Sequence, residues 1–212
     1  MREKNYITAS CAISNHIVYK NEHPVFESAH ANAKDFLLSI YNHFDIKYPK
    51  FYKMDALSKL GWLASEVLLT ASLKQGTYEP DQVGVILTNA NSSLDADLKY
   101  FESTKEFASP SLFVYTLPNI VVGEICIRND FKGENAFFVQ ETFDTGFIEQ
   151  YVDNLINNNI LQACICGWVD VLMKDYKAVL FLVEKKPKPQ SRAFTKENME
   201  KIYQIQNGHI NS

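Results

Sequence analysis

The sequence predicts an α/β fold, because patterns typical of strands and helices alternate along its 212 residues. The run Val83–Leu87 is continuously apolar, which is typical of a strand covered by helices on both faces. Between such runs, apolar residues recur at helical spacing. We therefore predict a central sheet with helices on both sides. Its strands are expected near residues 6–14, 83–87, 135–140, 164–167 and 178–184.

The first half of the chain contains two strong helix patterns. Residues 31–44 carry apolar side chains at helical spacing, and Asp55–Leu73 has a broad apolar face with Gly76 as its expected stop. Residues 92–107 are polar, and we expect a solvated helical surface segment there. Ser109-Pro110 predicts a new helix, with a capping serine and proline at the first helical position.

Three further helical segments are predicted towards the C-terminus. They cover residues 117–127, residues 146–158, and a tail helix near 195–206 that Thr195 caps. Between the last strand and the tail, the lysine- and proline-rich run Lys185–Gln190 predicts an extended connection. We accordingly divide the chain into a domain at residues 1–186 and a linker with a C-terminal tail at residues 187–212.

Composition limits the function. With 46% hydrophobic and 13% aromatic residues, the chain is globular, and its length fits one domain or at most two small ones. A net charge of −4 without a basic cluster argues against nucleic-acid binding. No apolar run approaches the ~20 residues that span a bilayer. The first residues do not resemble a signal peptide, so we predict a cytoplasmic protein without a membrane span.

The four cysteines predict neither disulfides nor a metal site. Cys11 and Cys126 lie in apolar surroundings and are expected to be buried small hydrophobic residues. Cys164 and Cys166 are two positions apart on a predicted strand, so their side chains face the same side. A redox or metal pair there is the alternative, but no second Cys/His pair stands nearby to complete a zinc site. We predict no metal and no cofactor.

The most specific pattern lies between Ser109 and Gly146. A strand pattern at Asn135–Gln140 is followed shortly by Gly146. This arrangement resembles the strand that leads a β-ketoacyl synthase of the thiolase-like fold into its nucleophilic cysteine. Counting back from Gly146 puts Phe143 where the resemblance would have the cysteine. The degenerate turn comprises Thr142, Phe143, Asp144 and Gly146.

Five other segments resemble the same family in the same order. They cover the first strand and its turn, the start of the first long helix, and three later strands. The resemblance extends over roughly residues 6–185 and matches the N-terminal half of a ketosynthase. It implies a single thiolase-like half, with a mixed central sheet covered by helices on both faces. The segments are Tyr6–Ser14, Tyr52–Leu60, Val83–Asn89, Ile165–Asp170 and Ala178–Glu184.

The resemblance implies that condensation chemistry is lost. That chemistry needs a thiolate, a pair of imidazoles and an oxyanion site, and Phe143 supplies no thiolate. In the family both imidazoles lie in the second half, and the five histidines of this chain do not match those motifs: His16, His23, His30, His43 and His209. An acyltransferase or hydrolase using Thr142, Asp144 or Glu141 is the enzymatic alternative. For the two carboxylates, favourable charge at a helix N-terminus is the simpler interpretation.

The resemblance also implies a partner. In this family, an inactive subunit called a chain-length factor pairs with an active ketosynthase and shapes its acyl tunnel. We expect this chain to form such a heterodimer with a full-length ketosynthase, in fatty-acid or polyketide-type synthesis. The alternative is a stand-alone homodimer that binds acyl chains or acyl carrier protein. The expected interface comprises Ser109, Pro110, Phe113, Asn135, Phe137, Phe138, Val139 and Gln140.

Acyl carrier protein is a further expected partner. Lys185, Lys186, Lys188 and Arg192 would meet its acidic surface, although a solvated lysine run is the simpler interpretation.

Overall fold

The computed structural model describes residues 4–28 and 32–205. Within these ranges the chain forms eight strands and seven α-helices, which alternate as the sequence predicts. The strands are β1 Tyr6–Ser14, β2 Ile17–Lys20, β3 His23–Glu27, β4 Val83–Asn89, β5 Asn135–Val139, β6 Ala163–Leu172, β7 Asp175–Glu184 and β8 Arg192–Ala193. The helices are α1 Ala33–His43, α2 Ala56–Leu69, α3 Leu94–Ser103, α4 Pro110–Phe113, α5 Ile120–Asn129, α6 Thr145–Asn157 and α7 Lys196–Ile205.

One mixed sheet organises the domain. Its strand order is β3-β2-β1-β7-β6-β4-β5, and β8 pairs with the start of β1. β4 is parallel to both β5 and β6, whereas β7 is antiparallel to its neighbours β1 and β6. In the five-stranded centre β5-β4-β6-β7-β1, β7 therefore runs against the other four strands. This confirms the prediction of a mixed central sheet.

Helices cover both faces of the sheet. One apolar core lies between the sheet and α1, α2 and α5, and a second lies between the opposite face and α6 and α7. Alternation along β6 divides its side chains between the two cores. Ile165 and Val169 enter the first, whereas Cys164 and Cys166 enter the second. The two thiols therefore share a face, as predicted, and both are fully buried.

Helix α2 ends one turn earlier than predicted. Asp55 caps its start, accepting from the backbone N–H of Ser58 at 2.9 Å. The helix ends at Leu69 because the backbone turns left-handed at Ala71, with φ +59°. The Lys20 ammonium from β2 donates to the last carbonyls of the helix. Gly76 is thus not the stop, and a tertiary contact replaces the expected glycine cap.

The capping role predicted for Ser109 is wrong. Helix α4 does begin at Pro110, but the Ser109 hydroxyl makes no capping hydrogen bond and lies 3.0 Å from the Ser111 hydroxyl. The start of α4 is held instead by the backbone N–H of Ser109, which donates to Ser103 Oγ at 3.2 Å.

The last two central strands form a longer hairpin than predicted. β6 and β7 pair from Ala163↔Glu184 to Leu172↔Asp175 around a turn at Met173, where φ is +58°. In the outer part of this hairpin, Asp170, Asp175 and Lys177 interrupt the continuous apolar pattern on which the prediction relied.

The C-terminal segment packs against the domain. The connection after β7 is fixed at Glu184, which is only 1% exposed, pairs with the Lys188 ammonium at 2.5 Å and accepts from Tyr78 Oη at 2.8 Å. β8 then pairs with β1, and α7 buries Met199 and Ile202 in the second core. The division into a domain at residues 1–186 and a linker with a C-terminal tail at residues 187–212 stays a prediction.

No single helix within residues 4–28 and 32–205 is long and apolar enough to cross a membrane. Only the bent pair Pro110–Thr116 and Ile120–Asn129, at 96°, passes that test together.

Candidate functional site

The turn between β5 and α6 lies where the sequence predicts it. β5 ends at Val139, and the next N–H, that of Gln140, donates to Asn89 O at 2.8 Å. Glu141 and Thr142 are exposed, and α6 begins at Thr145. The turn therefore delivers a helix N-terminus to the carboxyl edge of the parallel strands β4 and β5, where α/β proteins commonly place their sites.

Asp144 directly precedes α6, which begins at Thr145, one residue before the predicted start at Gly146. Its Oδ1 accepts from the N–H of Phe147 at 2.9 Å, which makes Asp144 the N-cap. A carboxylate at a helix N-terminus is stabilised by the helix dipole. Asp144 therefore serves as a cap, which agrees with the simpler interpretation given above.

Phe143 packs inward. Its ring centroid lies 5.1 Å from that of Tyr203, 5.9 Å from Trp168 and 6.3 Å from Phe181. The ring is partly buried against the second core. That the Phe143 ring shapes an acyl tunnel stays a prediction. The three ring contacts given above are with residues of its own chain.

Helix α7 covers the start of α6, which the sequence did not indicate. Glu200 Oε1 accepts from the hydroxyl of Thr145 at 3.0 Å, and Glu149 Oε2 accepts from the backbone N–H of Lys196 at 2.7 Å. Thr145 is 4% exposed, so its hydroxyl is closed to substrate. The Thr145–Glu200 pair therefore ties two helices together and does not form an activated nucleophile.

The described histidines do not assemble at this turn. His16 lies in the β1–β2 turn against Phe36, and His43 at the end of α1 contacts Phe26. His23 begins β3. His30 and His209 lie outside the described residues. Within residues 4–28 and 32–205, no three His, Cys, Asp or Glu side chains group as metal ligands.

Three of the four cysteines are poor candidates for a nucleophile. Burial raises the pKa of the Cys11 thiol to about 12 and that of Cys126 to about 11. Burial, with a hydrogen bond from the neighbouring Cys164 as a lesser cause, also raises the pKa of Cys166. Because the thiolate is the reactive species, these thiols are inert near neutral pH.

β5 is an edge strand with an open side. Glu134 O and Gln140 N–H bond towards β4, so alternation directs the N–H and C=O groups of Asn135, Phe137 and Val139 away from it. Among the described residues, no strand pairs with that side. Val139 is 55% exposed. We call this side of β5 the free edge.

The aromatic residues of β5 are less exposed than the sequence suggested. Phe137 packs on the α2–α5 side, and Phe138 packs edge-on against Phe147 at 4.9 Å and Tyr151 at 5.2 Å. The free edge therefore offers backbone groups and Val139, while both phenylalanine rings are anchored in the domain.

The opposite edge of the same sheet is built differently. β3 carries His23, Pro24 and Glu27, and proline cannot donate to another strand. Proline and charge are the usual protections of an exposed edge. β5 has neither within Asn135–Val139.

A large apolar surface lies on the helices that follow β4. Leu94, Leu98 and Phe101 stand at helical spacing on the outward side of α3. The segment is a helix on the surface, as predicted, but this side of it is apolar rather than polar. Phe113 on α4 is 58% exposed, and its ring contacts Tyr100 of α3 at 5.3 Å. We call this set the exposed apolar surface: Leu94, Leu98, Phe101, Phe107, Phe113, Val114 and Leu117.

Three of the four basic residues expected to meet a carrier protein have internal partners. Lys188 pairs with Glu184, Arg192 pairs with Glu22 at 2.7 Å, and Lys185 donates to Asn159 Oδ1 at 3.1 Å. These contacts hold the connection between β7 and α7 and weaken the argument for a docking surface there.

Comparison with known proteins agrees with this fold. No sequence model of a known family matches the chain, and no curated protein matches it. Among solved structures, the ishigamide ketosynthase/chain length factor superposes with a TM-score of 0.62 at 16% identity, covering 85% of this chain and 62% of that chain. The type II polyketide ketosynthase of the AntDE:AntF complex, with its acyl-carrier protein, gives 0.59 at 15%, covering 87% and 64%.

A third structure is the ketosynthase ApeO in complex with its chain length factor ApeC from Xenorhabdus doucetiae. It gives a TM-score of 0.55 at 13% identity and covers 84% of this chain and 77% of that chain. This chain thus spans less than two thirds of the first two structures and about three quarters of the third. It has the thiolase-like fold of ketosynthases and chain length factors, as the sequence predicted.

Proposed function

We propose that this chain is a non-catalytic ketosynthase-like subunit of fatty-acid or polyketide-type synthesis. It pairs with an active β-ketoacyl-ACP synthase and shapes the acyl tunnel of that partner. The observation that carries the proposal is the free edge of β5, which lies in the same domain as the exposed apolar surface.

The free edge supports pairing because it lacks the features that prevent it. Asn135, Phe137 and Val139 direct unpaired backbone groups outward, whereas β3 at the opposite edge carries proline and charge. An unprotected edge is a template for another strand. A partner strand would satisfy these groups without any change in β5.

The exposed apolar surface supports a partner of substantial size. Single exposed apolar side chains are normal, but contiguous apolar patches mark interaction sites. Aromatic residues are enriched at protein interfaces, and this surface contains three phenylalanines: Phe101, Phe107 and Phe113. The predicted interface residues Ser109, Pro110 and Phe113 border the surface or lie on it.

The residues at the start of α6 support the proposal that this chain does not catalyse condensation. Phe143 stands where the resemblance puts the thiolate, and the next residue, Asp144, caps the helix. A carboxylate there would repel the carboxylate of an extender unit. Because Phe113 is more exposed than Phe143, we propose that Phe113, rather than Phe143, faces the acyl tunnel of the partner. The ring of Phe143 packs against the second core of its own chain.

Native mass spectrometry of the tagged protein, purified gently from its own host, tests the proposal. A stoichiometric complex with a full-length ketosynthase is expected. The second readout is the product chain length of that ketosynthase, which Phe113→Ala should change while Thr142→Ala does not. A homodimer that lacks a ketosynthase would contradict the proposed pairing. Acyl transfer by the isolated protein would contradict its non-catalytic role.

A further inference from the structure

Helix α7 packs against the domain through few buried side chains. Among its described side chains, Met199 and Ile202 are buried, and Tyr203 is partly buried. Its other face is charged, with Lys196, Glu197, Glu200 and Lys201. A helix of this length is not stable alone in water, so it is held in place by these few contacts.

The surface beneath α7 is aromatic. Tyr203 lies over Phe143 at 5.1 Å and near Trp168 at 6.5 Å, and Phe143 in turn stacks on Phe181. Tyr203 of α7 therefore covers part of the Phe143 ring, next to the first turn of α6.

Polar contacts fasten both ends of α7. At its start, the N–H of Lys196 bonds Glu149, and in its middle Glu200 bonds Thr145. At its end, the Lys177 ammonium donates to Tyr203 O at 3.2 Å and lies 3.5 Å from the centroid of the Tyr203 ring. A cation beside the last carbonyls of a helix is favourable.

We propose that α7 is a lid over the start of α6, which opens as a unit while the rest of the domain stays folded. The central sheet and α2 bury many large side chains. Opening α7 would expose mainly two buried side chains among its described residues, Met199 and Ile202. Elements with few buried contacts open well below the free energy of global unfolding. In the closed form, α7 blocks access to Phe143 and Thr145.

The lid has a consequence for binding. Any molecule or partner that contacts Phe143 or the first turn of α6 must bind the open form. Its apparent affinity is then lowered by the fraction of molecules that are open. This inference concerns the isolated chain and does not depend on the proposed ketosynthase partner.

Amide hydrogen exchange followed by mass spectrometry tests the lid on the full chain. Peptides covering α7 are expected to exchange at least roughly 100-fold faster than those covering α6, yet more slowly than an unfolded peptide. Ile202→Ala should speed exchange in α7 by roughly 30-fold or more, from the low end of the cost of such truncations, while α6 stays the more slowly exchanging helix. Lys201→Ala, on the charged face of the same helix, is the matched control and should not speed exchange.

Two results would overturn the lid. Equal protection of α7 and α6, in the wild type and in Ile202→Ala alike, would show that α7 opens only with global unfolding. Exchange of wild-type α7 at the rate of an unfolded peptide would show that it does not close. If Ile202→Ala fails to fold, the wild-type comparison of α6 with α7 still decides between these outcomes.

Discussion

Truncation of Phe143 should destabilise the protein, because its ring is a core residue of this chain. The ring contacts Tyr203, Trp168 and Phe181 between the sheet and α7. Complete burial of a phenylalanine makes Phe→Ala cost about 3–5 kcal/mol. Phe143 is only partly buried, so we expect Phe143→Ala to lower the free energy of unfolding by about 2 kcal/mol.

Urea denaturation followed by far-UV circular dichroism measures this change. With a urea m-value of about 2 kcal/mol/M, the transition midpoint should fall by about 1 M. Thr142→Ala, one residue earlier and exposed, is the matched control and should stay within about 0.5 kcal/mol of wild type. A Phe143→Ala midpoint equal to that of the control would refute the inward packing of the ring.

Two further predictions concern stability. Asp144→Ala removes the cap of α6 and should cost about 1 kcal/mol in the same urea assay, whereas Asp144→Asn should keep most of that stability; equal losses in both would contradict the capping role. The second concerns pH: burial raises the pKa of Cys11 from 9.0 to about 12, with Lys20 acting in the opposite direction, so the folded state holds a proton that the unfolded state releases. The resulting stability is complete below pH 9 and is lost as pH rises towards 12, and between pH 8 and 10 the loss is about 1.4 kcal/mol. Cys11→Ala should lose that much less than wild type over the same interval, and parallel pH profiles would contradict the buried thiol.

The central strands and the longest helices could be predicted from the sequence because their patterns are local. β1, β4 and α2 have continuous or periodic apolar residues, and Asp55 is a recognisable cap. The ends of elements were harder to predict where distant residues determine them. α2 ends where Lys20, from another part of the chain, bonds its last carbonyls.

The site was predicted in position but not in detail. The strand, turn and helix around residue 143 follow from local pattern, but α6 begins one residue before its predicted start, at Thr145, because Asp144 accepts from the N–H of Phe147. The placement of α7 depends on contacts such as Thr145–Glu200, which join residues far apart in the chain. The outward apolar side of α3 was not predicted, because charged residues stand between Leu94, Leu98 and Phe101 in the sequence.

The most direct test of the proposed pairing compares two substitutions at the two edges of one sheet. Val139→Lys places a charge on the free edge of β5, where the native side chain is 55% exposed, and Val25→Lys does the same on β3, where it is 39% exposed. Each variant is co-expressed with the ketosynthase from the same host, and the fraction in a complex is measured by native mass spectrometry. We expect Val139→Lys to abolish or strongly weaken the complex and Val25→Lys to leave it intact. A complex that survives Val139→Lys as well as Val25→Lys would contradict pairing through β5.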